Sequence, residues 1–268
     1  MAEKTDIRGV LFDRVTFGEA SDRLTDALRS GTPTALFTPN SEIVQMCVEN
    51  PDLYPIINSA ELVTPDGIGV VKAGRILGTP FPGGRVAGFD LGRELLRRLD
   101  GMEKPDGTKY GIYFLGGKPG VAEAARDRLL EEFPRLSFVG CRDGYFKKEG
   151  EENDGVIRAV NESGADVLFV CLGAPTQEKW ISANRGKLPG VTLFLGLGGS
   201  LDGYAGIVKR APDIFIRLGL EWFYRLMKEP WRIKRMIKLP VFYFGTWKYK
   251  FTRKKKRSEE HTSELQSR

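Results

Sequence analysis

The sequence is poor in the features that mark secreted, disulfide-bonded or membrane-spanning proteins. Its three cysteines, Cys47, Cys141 and Cys171, are far apart and lie in or beside apolar runs, so we expect buried thiols rather than disulfides or metal ligands. Residues 1–13 are mostly polar and charged, which argues against a signal peptide. No run of 18 or more apolar residues occurs, so a transmembrane helix is not expected. These absences favour a reducing, cytoplasmic compartment.

Histidine is nearly absent as well. The single histidine, His261, lies in residues 257–268, where the string RSEEHTSELQS resembles the translation of a common short-read sequencing adapter. We predict that this tail is a sequencing artefact and exclude it from the fold, with an ordinary polar tail as the alternative. The rest of the chain has no histidine, which excludes Ser-His-Asp and Cys-His nucleophilic schemes and histidine-ligated metal sites.

Acidic metal-binding motifs are also missing. No Asp-x-Asp pair occurs anywhere in the sequence. The acidic residues near Glu152 lie in a polar stretch that is typical of a solvated loop and helix start. We therefore predict a protein that uses neither a metal ion nor another cofactor.

The net charge of +6 comes from one segment. Residues 231–256 contain ten Lys or Arg and no Asp or Glu, whereas residues 1–230 contain 29 basic and 32 acidic side chains. Aromatic residues interleave with these cations, at Trp231, Phe242, Tyr243, Phe244, Trp247, Tyr249 and Phe251. This pattern is typical of a segment on an anionic membrane surface, where each cation contributes on the order of 1 kcal/mol. It also suits single-stranded nucleic acid, but the net acidic core disfavours that partner.

Apolar runs that alternate with helical segments predict an α/β fold. The expected strands are 34–38, 61–64, 110–115, 136–141, 167–172 and 192–195, with helices between them. The later strands are continuously apolar, which indicates a Rossmann-like, largely parallel sheet covered by helices on both faces. We predict a core over 1–205 and a helical, basic appendage over 206–256. Ligands of such sheets bind at the carboxyl ends of the strands, where several glycine-rich turns converge.

Three of these turns carry candidate chemistry. Gly116 and Gly117 precede a helix start whose backbone N–H groups suit a phosphate, although a plain tight turn explains them equally well. Asp66 follows a strand and is a candidate general base, with an ordinary Asp-Gly turn as the alternative. Arg85 follows a Gly-Gly turn and is suited to a diphosphate, with a solvated surface arginine as the alternative.

Several spaced motifs together resemble the WecG/TagA/CpsF family of bacterial glycosyltransferases. They are TPNSE (38–42), TPDGIG (64–69), RVAGFD (85–90), GAPTQE (173–178), KRAP (209–212), GLEW (219–222) and YRL (224–226). The resemblance covers residues 8–240 and is more specific than any single motif. It implies an inverting, metal-independent transferase with a Rossmann-like core.

The resemblance also implies substrates and site residues. The family's best-known members transfer N-acetylmannosamine from its UDP-sugar to undecaprenyl-diphosphate-linked N-acetylglucosamine for wall teichoic acid, and relatives use UDP-N-acetylmannosaminuronate or other sugars for surface polysaccharides. Asp66 matches the proposed base, and Arg85 the arginine thought to meet the diphosphate. The remaining matches are the pocket residues Thr38 and Asn40, the polar Gln177, and the appendage arginines Arg210, Arg217 and Arg225. A location on the inner face of the cell membrane follows from the lipid acceptor.

Two other functions compete with this one. A nucleotide-dependent oxidoreductase on the same fold requires a G-x-G-x-x-G fingerprint, which the glycine turns lack. A non-enzymatic membrane or nucleic-acid adaptor predicts binding through residues 231–256 without sugar transfer. The sequence fixes neither the donor sugar nor the oligomeric state, for which a homo-oligomer is one alternative.

Overall fold

The computed structural model describes residues 3–208, 215, 223, 224, 227 and 239–252. The strands are β1 (Lys4–Ile7), β2 (Val10–Asp13), β3 (Thr34–Phe37), β4 (Leu62–Val63), β5 (Gly111–Gly116), β6 (Ser137–Arg142), β7 (Val167–Cys171) and β8 (Leu193–Gly196). The helices are α1 (Phe17–Ser30), α2 (Ser41–Glu49), α3 (Leu53–Asn58), α4 (Ile68–Leu77), α5 (Gly88–Asp100), α6 (Val121–Glu132), α7 (Gly150–Ser163), α8 (Thr176–Asn184) and α9 (Ser200–Tyr204). A further helix spans 239–252.

The main sheet has six strands in the order β4-β3-β8-β7-β5-β6, and every neighbouring pair is parallel. Its strands coincide within one or two residues with those expected from the apolar runs. The predicted fold class, a parallel α/β sheet with helices on both faces, is therefore confirmed.

Two separate clusters of buried side chains show how the sheet is covered. Successive residues of a strand point to opposite faces, so Phe37 packs with helices α2, α3, α4, α7 and α8, whereas Leu36 packs with α1, α5, α6 and α9. In β5 and β7 both faces are apolar, which explains the uninterrupted hydrophobic runs that the sequence shows there.

The sequence analysis missed the antiparallel hairpin of β1 and β2 and the helix α1. The two strands are only four residues long and mix buried with exposed positions, so they leave no clear periodic signal. Helix α1 did carry a readable signal, because Thr16 and Glu19 form a reciprocal capping box at its start. The buried Asp13 ties the hairpin to the sheet, since its Oδ2 accepts a hydrogen bond from the backbone N–H of Val63 at 2.9 Å.

The direction of the chain crossovers changes between β5 and β7. From β5 the chain moves outward to β6, whereas from β7 it moves the opposite way to β8. In open parallel sheets the crevice at such a switch point is the usual place for a nucleotide. The turns that flank this crevice are 116–120, after β5, and 173–175, after β7.

Helix 239–252 lies against the hairpin. Phe242 is fully buried and belongs to the same core cluster as Phe37. Arg8 in the hairpin turn lies over the Phe242 ring, 5.9 Å from its centroid, and the Tyr249 hydroxyl donates to Asp6 at 2.8 Å. Phe242, one of the aromatic residues that the sequence pattern assigned to a membrane surface, is therefore part of the core, because the helix docks there.

Most of the predicted appendage, including Arg210, Arg217 and Arg225, lies outside the described residues. The boundary between a core ending at 205 and an appendage over 206–256 remains a prediction, as does the artificial origin of residues 257–268. Within the described part of the chain, no helix has both the length and the apolar character needed to cross a bilayer.

Candidate active site

Asp66 lies at the carboxyl edge of the sheet, in the turn between β4 and α4. The residue after it, Gly67, has φ of 95°, which side-chain-bearing residues rarely adopt. The backbone N–H of Asp66 donates to the carbonyl of Pro39 at 3.3 Å, and Val86 N–H donates to the carbonyl of Pro65 at 2.9 Å. These two hydrogen bonds tie the turn to the segment after β3 on one side and to the segment before α5 on the other.

The Asp66 carboxylate makes cross-loop contacts, which a plain Asp-Gly turn does not require. Its Oδ1 accepts from Arg85 Nε at 3.2 Å, and its Oδ2 accepts from Gly88 N–H at 3.4 Å. Both side chains of the ion pair are partly accessible, at 29% for Arg85 and 28% for Asp66. The structure therefore brings together, at an accessible edge, the two residues that the sequence marked as base and diphosphate ligand.

Thr38 and Asn40, the other two residues predicted near the base, lie beside it. A Cβ atom on Gly88 would lie 2.7 Å from Thr38 Oγ1, so only glycine at 88 allows the start of α5 to approach Thr38 this closely. Asn40 caps α2, accepting from the backbone N–H groups of Glu42 and Ile43 at 2.9 and 3.1 Å. Asn40, and not the neighbouring Ser41, is the cap, because the asparagine has the extended backbone that a capping residue needs.

Two helices begin beside Asp66, and neither is capped by the side chain of its own N-cap residue; in α5 the first backbone N–H, that of Gly88, donates to Asp66 instead. The N-cap residues of α4 and α5 are Gly67 and Ala87, which have no polar side-chain atoms. Each helix therefore presents the positive end of its dipole and backbone N–H donors at this edge. Together with Arg85, these helix starts favour an anionic group such as a diphosphate.

Gln177 is buried, with 3% of its surface exposed. Its Oε1 accepts from Gly198 N–H at 2.8 Å, and its Nε2 donates to Glu178 Oε1 at 2.9 Å. It thus links the start of α8 to the turn 196–199 after β8. Leu197 of that turn packs against Gly88, whose N–H donates to Asp66. Gln177 is therefore connected to Asp66 through the 196–199 turn and the start of α5.

Gly116 and Gly117 do not lie beside Asp66. Gly116 ends β5 and Gly117 follows it, and β5 is four strands away from β4, the strand before Asp66, or about 19 Å along the sheet edge. Gly116 has φ of 137°, and a Cβ atom there would overlap the carbonyl oxygen of Cys171. The Gly117 N–H donates to that same carbonyl at 3.2 Å. Packing between β5 and β7 thus explains the glycine at 116, and both glycines border the switch-point crevice.

The three cysteines, which are candidate nucleophiles and metal ligands by residue type, are not among the residues described around Asp66. Burial raises the pKa of Cys47 and Cys141 to about 11 and that of Cys171 to about 12, so these thiols stay protonated near neutral pH. Cys47 and Cys171 are buried as predicted, whereas Cys141 is only partly buried. Among the described residues, no three His, Cys, Asp or Glu side chains cluster in a way that would hold a metal ion.

Comparison with known proteins agrees with this geometry. A model of the "Glycosyl transferase WecG/TagA/CpsF family" matches residues 5–256. A protein from Bacillus spizizenii (strain W23) is 37% identical over 214 residues, which cover 80% of this chain and 79% of that protein. A protein from Bacillus subtilis (strain 168) is 34% identical over 231 residues, covering 85% and 86%. Both are named N-acetylglucosaminyldiphosphoundecaprenol N-acetyl-beta-D-mannosaminyltransferase. With its parallel α/β sheet and its motifs joined at one edge, the chain belongs to the WecG/TagA/CpsF family of glycosyl transferases.

Proposed function

We propose that this glycosyltransferase moves N-acetylmannosamine from its UDP-sugar to an undecaprenyl-diphosphate-linked N-acetylglucosamine, with inversion and without a metal ion. The observation that carries the proposal is the Asp66–Arg85 pair at the sheet edge, flanked by the starts of α4 and α5, whose N-cap residues have no polar side chain. The names of the two Bacillus relatives support the choice of donor sugar and acceptor. The product would be an early intermediate of wall teichoic acid or another surface polysaccharide.

The reaction is a single displacement. The acceptor hydroxyl gives its proton to the Asp66 carboxylate while its oxygen forms a bond to the anomeric carbon of the donor. The bond from that carbon to the UDP oxygen breaks, and UDP leaves with the electron pair. Attack from the face opposite the leaving group inverts the anomeric configuration.

The negative charge that develops on UDP needs a positive environment. Arg85 holds Asp66 through Nε, and a guanidinium, with its five N–H donors in a planar fork, matches the oxygens of a diphosphate. The helix N-termini at Gly67 and Ala87 add fixed dipoles that need no reorganisation during the reaction. These groups supply the charge stabilisation that a metal ion gives in other nucleotide-sugar enzymes.

The donor is expected to lie along the edge of the sheet. The crevice between β5 and β7 is the natural place for the nucleoside, with Gly116 and Gly117 on one side. The distance from β5 to β3 along the edge of the sheet is about 14 Å, and an extended nucleotide-sugar is long enough to span it. Its sugar then reaches Thr38, Asn40 and Asp66.

UDP release from a panel of donors tests this function. UDP-N-acetylmannosamine, UDP-N-acetylglucosamine, UDP-glucose and UDP-N-acetylmannosaminuronate are each mixed with the enzyme in EDTA, with and without a short-chain diphospho-N-acetylglucosamine lipid. We expect acceptor-dependent release that is fastest with UDP-N-acetylmannosamine. A preference for another donor would replace the proposed sugar, and loss of activity in EDTA that Mg²⁺ or Mn²⁺ restores would contradict metal independence.

We further propose that helix 239–252 rests on the inner face of the cell membrane, where the lipid acceptor is anchored. One side of the helix docks on the hairpin through Phe242, Thr246 and Tyr249, spaced i, i+4 and i+7. The opposite side exposes Phe244, Trp247 and Phe251, of which Phe244 is 77% exposed.

The exposed side has the chemistry of a membrane interface. Trp247 and Phe251 stack with their centroids 6.2 Å apart, and Lys250 Nζ lies 5.3 Å from the Trp247 ring centroid. An apolar stripe bordered by cations suits the boundary between acyl chains and anionic head groups. Because the buried residues on the other side fix the helix to the core, the membrane would bind a surface with a set orientation toward the active site.

Replacing Phe244, Trp247 and Phe251 together by serine is expected to reduce binding to vesicles containing phosphatidylglycerol by at least about tenfold, because apolar area no longer enters the interface. The thermal midpoint is expected to change little, since these side chains are exposed. Co-sedimentation measures the binding, with L11S/F17S, which removes two exposed apolar side chains elsewhere, as the control. Unchanged binding of the triple variant would contradict the proposed membrane surface.

A further inference from the structure

A carboxylic acid lies buried behind the turn that follows β8. Glu178 is on the first turn of α8 and has only 1% of its surface exposed. Buried glutamates are rare unless they are paired, yet within the described residues Glu178 forms no ion pair. One carboxyl oxygen, Oε2, has no hydrogen-bond partner among the described atoms. Because a buried polar atom without a partner costs stability, a role other than packing is expected for this side chain.

The other carboxyl oxygen connects Glu178 to the candidate active site. Its Oε1 accepts from Gln177 Nε2 at 2.9 Å, and Gln177 Oε1 in turn accepts from Gly198 N–H at 2.8 Å. An amide presents an acceptor on one side and donors on the other. Since Gly198 requires the acceptor, the donor side of Gln177 must face Glu178, and the two contacts together fix the orientation of the Gln177 amide.

The Gln177 amide has little space in which to adopt another orientation. A Cβ atom on Gly196 would lie 3.3 Å from Gln177 Nε2, so the side chain runs close to the end of β8. Gly196 pairs with Phe37 of β3, and Leu197 packs against Gly88, whose N–H donates to Asp66. A change at Glu178 would therefore reach the 196–199 turn and then the segment that holds the base.

We propose that Glu178 is a positioning residue, which acts through Gln177 to hold the 196–199 turn. That turn follows β8, which lies between β7 and β3, so it borders the path proposed for the UDP part of the donor. This inference rests on the proposed function. Glu178 itself touches neither the donor nor the reacting atoms. Its carboxyl gives Gln177 Nε2 a buried acceptor, and Gln177 then keeps Gly198 N–H from turning away from the sheet edge.

The charge state of Glu178 is consistent with this role. Burial raises the pKa of the Glu178 carboxyl, while the hydrogen bond from Gln177 acts in the opposite direction. Cys47 of α2 is electrostatically coupled to it, and the pKa of that thiol is itself raised. A carboxyl oxygen accepts from Gln177 Nε2 whether the group is charged or neutral, and the amide oxygen of a glutamine accepts in the same way. Glutamine is therefore the closest mimic of the functional side chain.

The test compares Glu178→Gln and Glu178→Leu by isothermal titration with UDP and by initial rates of transfer. Because E178Q retains the acceptor, its Kd for UDP and its KM for the donor are expected to stay within about twofold of wild type. E178L leaves Gln177 Nε2 without a buried partner, so both constants are expected to rise by about tenfold or more, the equivalent of one lost hydrogen bond. Its thermal midpoint is expected to change little, because the substitution removes one buried atom without a hydrogen-bond partner, Glu178 Oε2, and leaves another, Gln177 Nε2, without one.

Asn184→Leu is the matched control. Asn184 is also a buried polar residue of α8, but it bonds to Asn153 and Trp180 at the far end of the helix. We expect N184L to lower stability and leave the Kd for UDP unchanged. If E178L does not fold, Gln177→Met, which removes the same contact from the other side, replaces it and is expected to show the same weakened UDP binding.

Three outcomes would overturn the inference. These are E178L binding UDP as tightly as wild type, E178Q losing affinity as strongly as E178L, and N184L losing as much affinity as E178L. Failure of the proposed function gives a different result, in which the wild-type protein itself binds no UDP.

Discussion

Asp66→Asn is expected to lower kcat by about 10²–10⁴-fold and to change the donor KM and the thermal midpoint little. Asparagine has nearly the same shape and keeps an oxygen for Gly88 N–H, but it cannot accept the acceptor's proton, and general-base catalysis contributes about this factor. Initial rates of UDP release at saturating acceptor measure the loss. The effect is expected in kcat because the missing proton transfer occurs only in the transition state.

Asp100→Asn is a suitable control for this experiment. Asp100 is also a half-buried aspartate that accepts a backbone N–H, that of Arg135 at 2.7 Å, but it lies at the opposite end of α5. Its replacement is expected to leave kcat unchanged. If D66N retained more than a tenth of wild-type kcat, Asp66 would not be the base and its contacts with Arg85 and Gly88 would be structural.

Gly116→Ala is expected to lower the free energy of unfolding by about 3–5 kcal/mol. The φ of 137° strains any residue with a side chain, and the new methyl group would overlap the Cys171 carbonyl at the centre of the sheet. Backbone atoms of β7 cannot move aside without breaking the β5–β7 ladder. Urea unfolding followed by circular dichroism measures the change.

Gly155→Ala is expected to have the opposite sign. Gly155 lies inside α7, and a Cβ atom there has no neighbour within 4 Å. Alanine should stabilise the helix by about 0.5–1 kcal/mol. A G116A protein as stable as wild type would contradict the packing explanation and would return Gly116 to the role of a flexible phosphate loop.

The parallel sheet was predictable because its signals are local. Strands β5 and β7 are apolar on both faces, and each is followed by a glycine turn and a helix, so their positions can be located directly in the sequence. The hairpin β1–β2 was missed because four-residue strands with one polar side carry little periodicity. Helix α1 was missed although its capping box, Thr16 to Glu19, is visible in the sequence.

The motifs in the sequence predicted residues for the candidate active site but not how these residues contact one another. The motifs identified Asp66 and Arg85, which are 19 positions apart, but their contact depends on how the β4–α4 turn and the start of α5 fold together. Gly116 and Gly117 were grouped with these residues because all of them follow strands, whereas the strand order separates them. No local pattern in the sequence shows the link from Glu178 through Gln177 to Gly198, because it joins the ends of two different strands.

The docking of helix 239–252 shows a similar limit. Basic and aromatic residues alternate along it, so the sequence suggested a uniformly exposed segment. Phe242 and Tyr249 instead contact Arg8 and Asp6, more than 230 residues earlier in the chain. Tertiary contacts of this kind cannot be deduced from periodicity, because both sides of the helix are apolar.

The most direct test of the account is the product of the complete reaction. Wild-type enzyme, UDP-N-acetylmannosamine and a short-chain polyprenyl-diphospho-N-acetylglucosamine are incubated in EDTA, and the lipid is analysed by mass spectrometry and NMR. The account predicts an acceptor extended by one N-acetylhexosamine, with the anomeric configuration opposite to that of the donor. An unmodified acceptor with every UDP-sugar offered, or a product that retains the donor's configuration, would contradict the direct displacement proposed for Asp66 and Arg85.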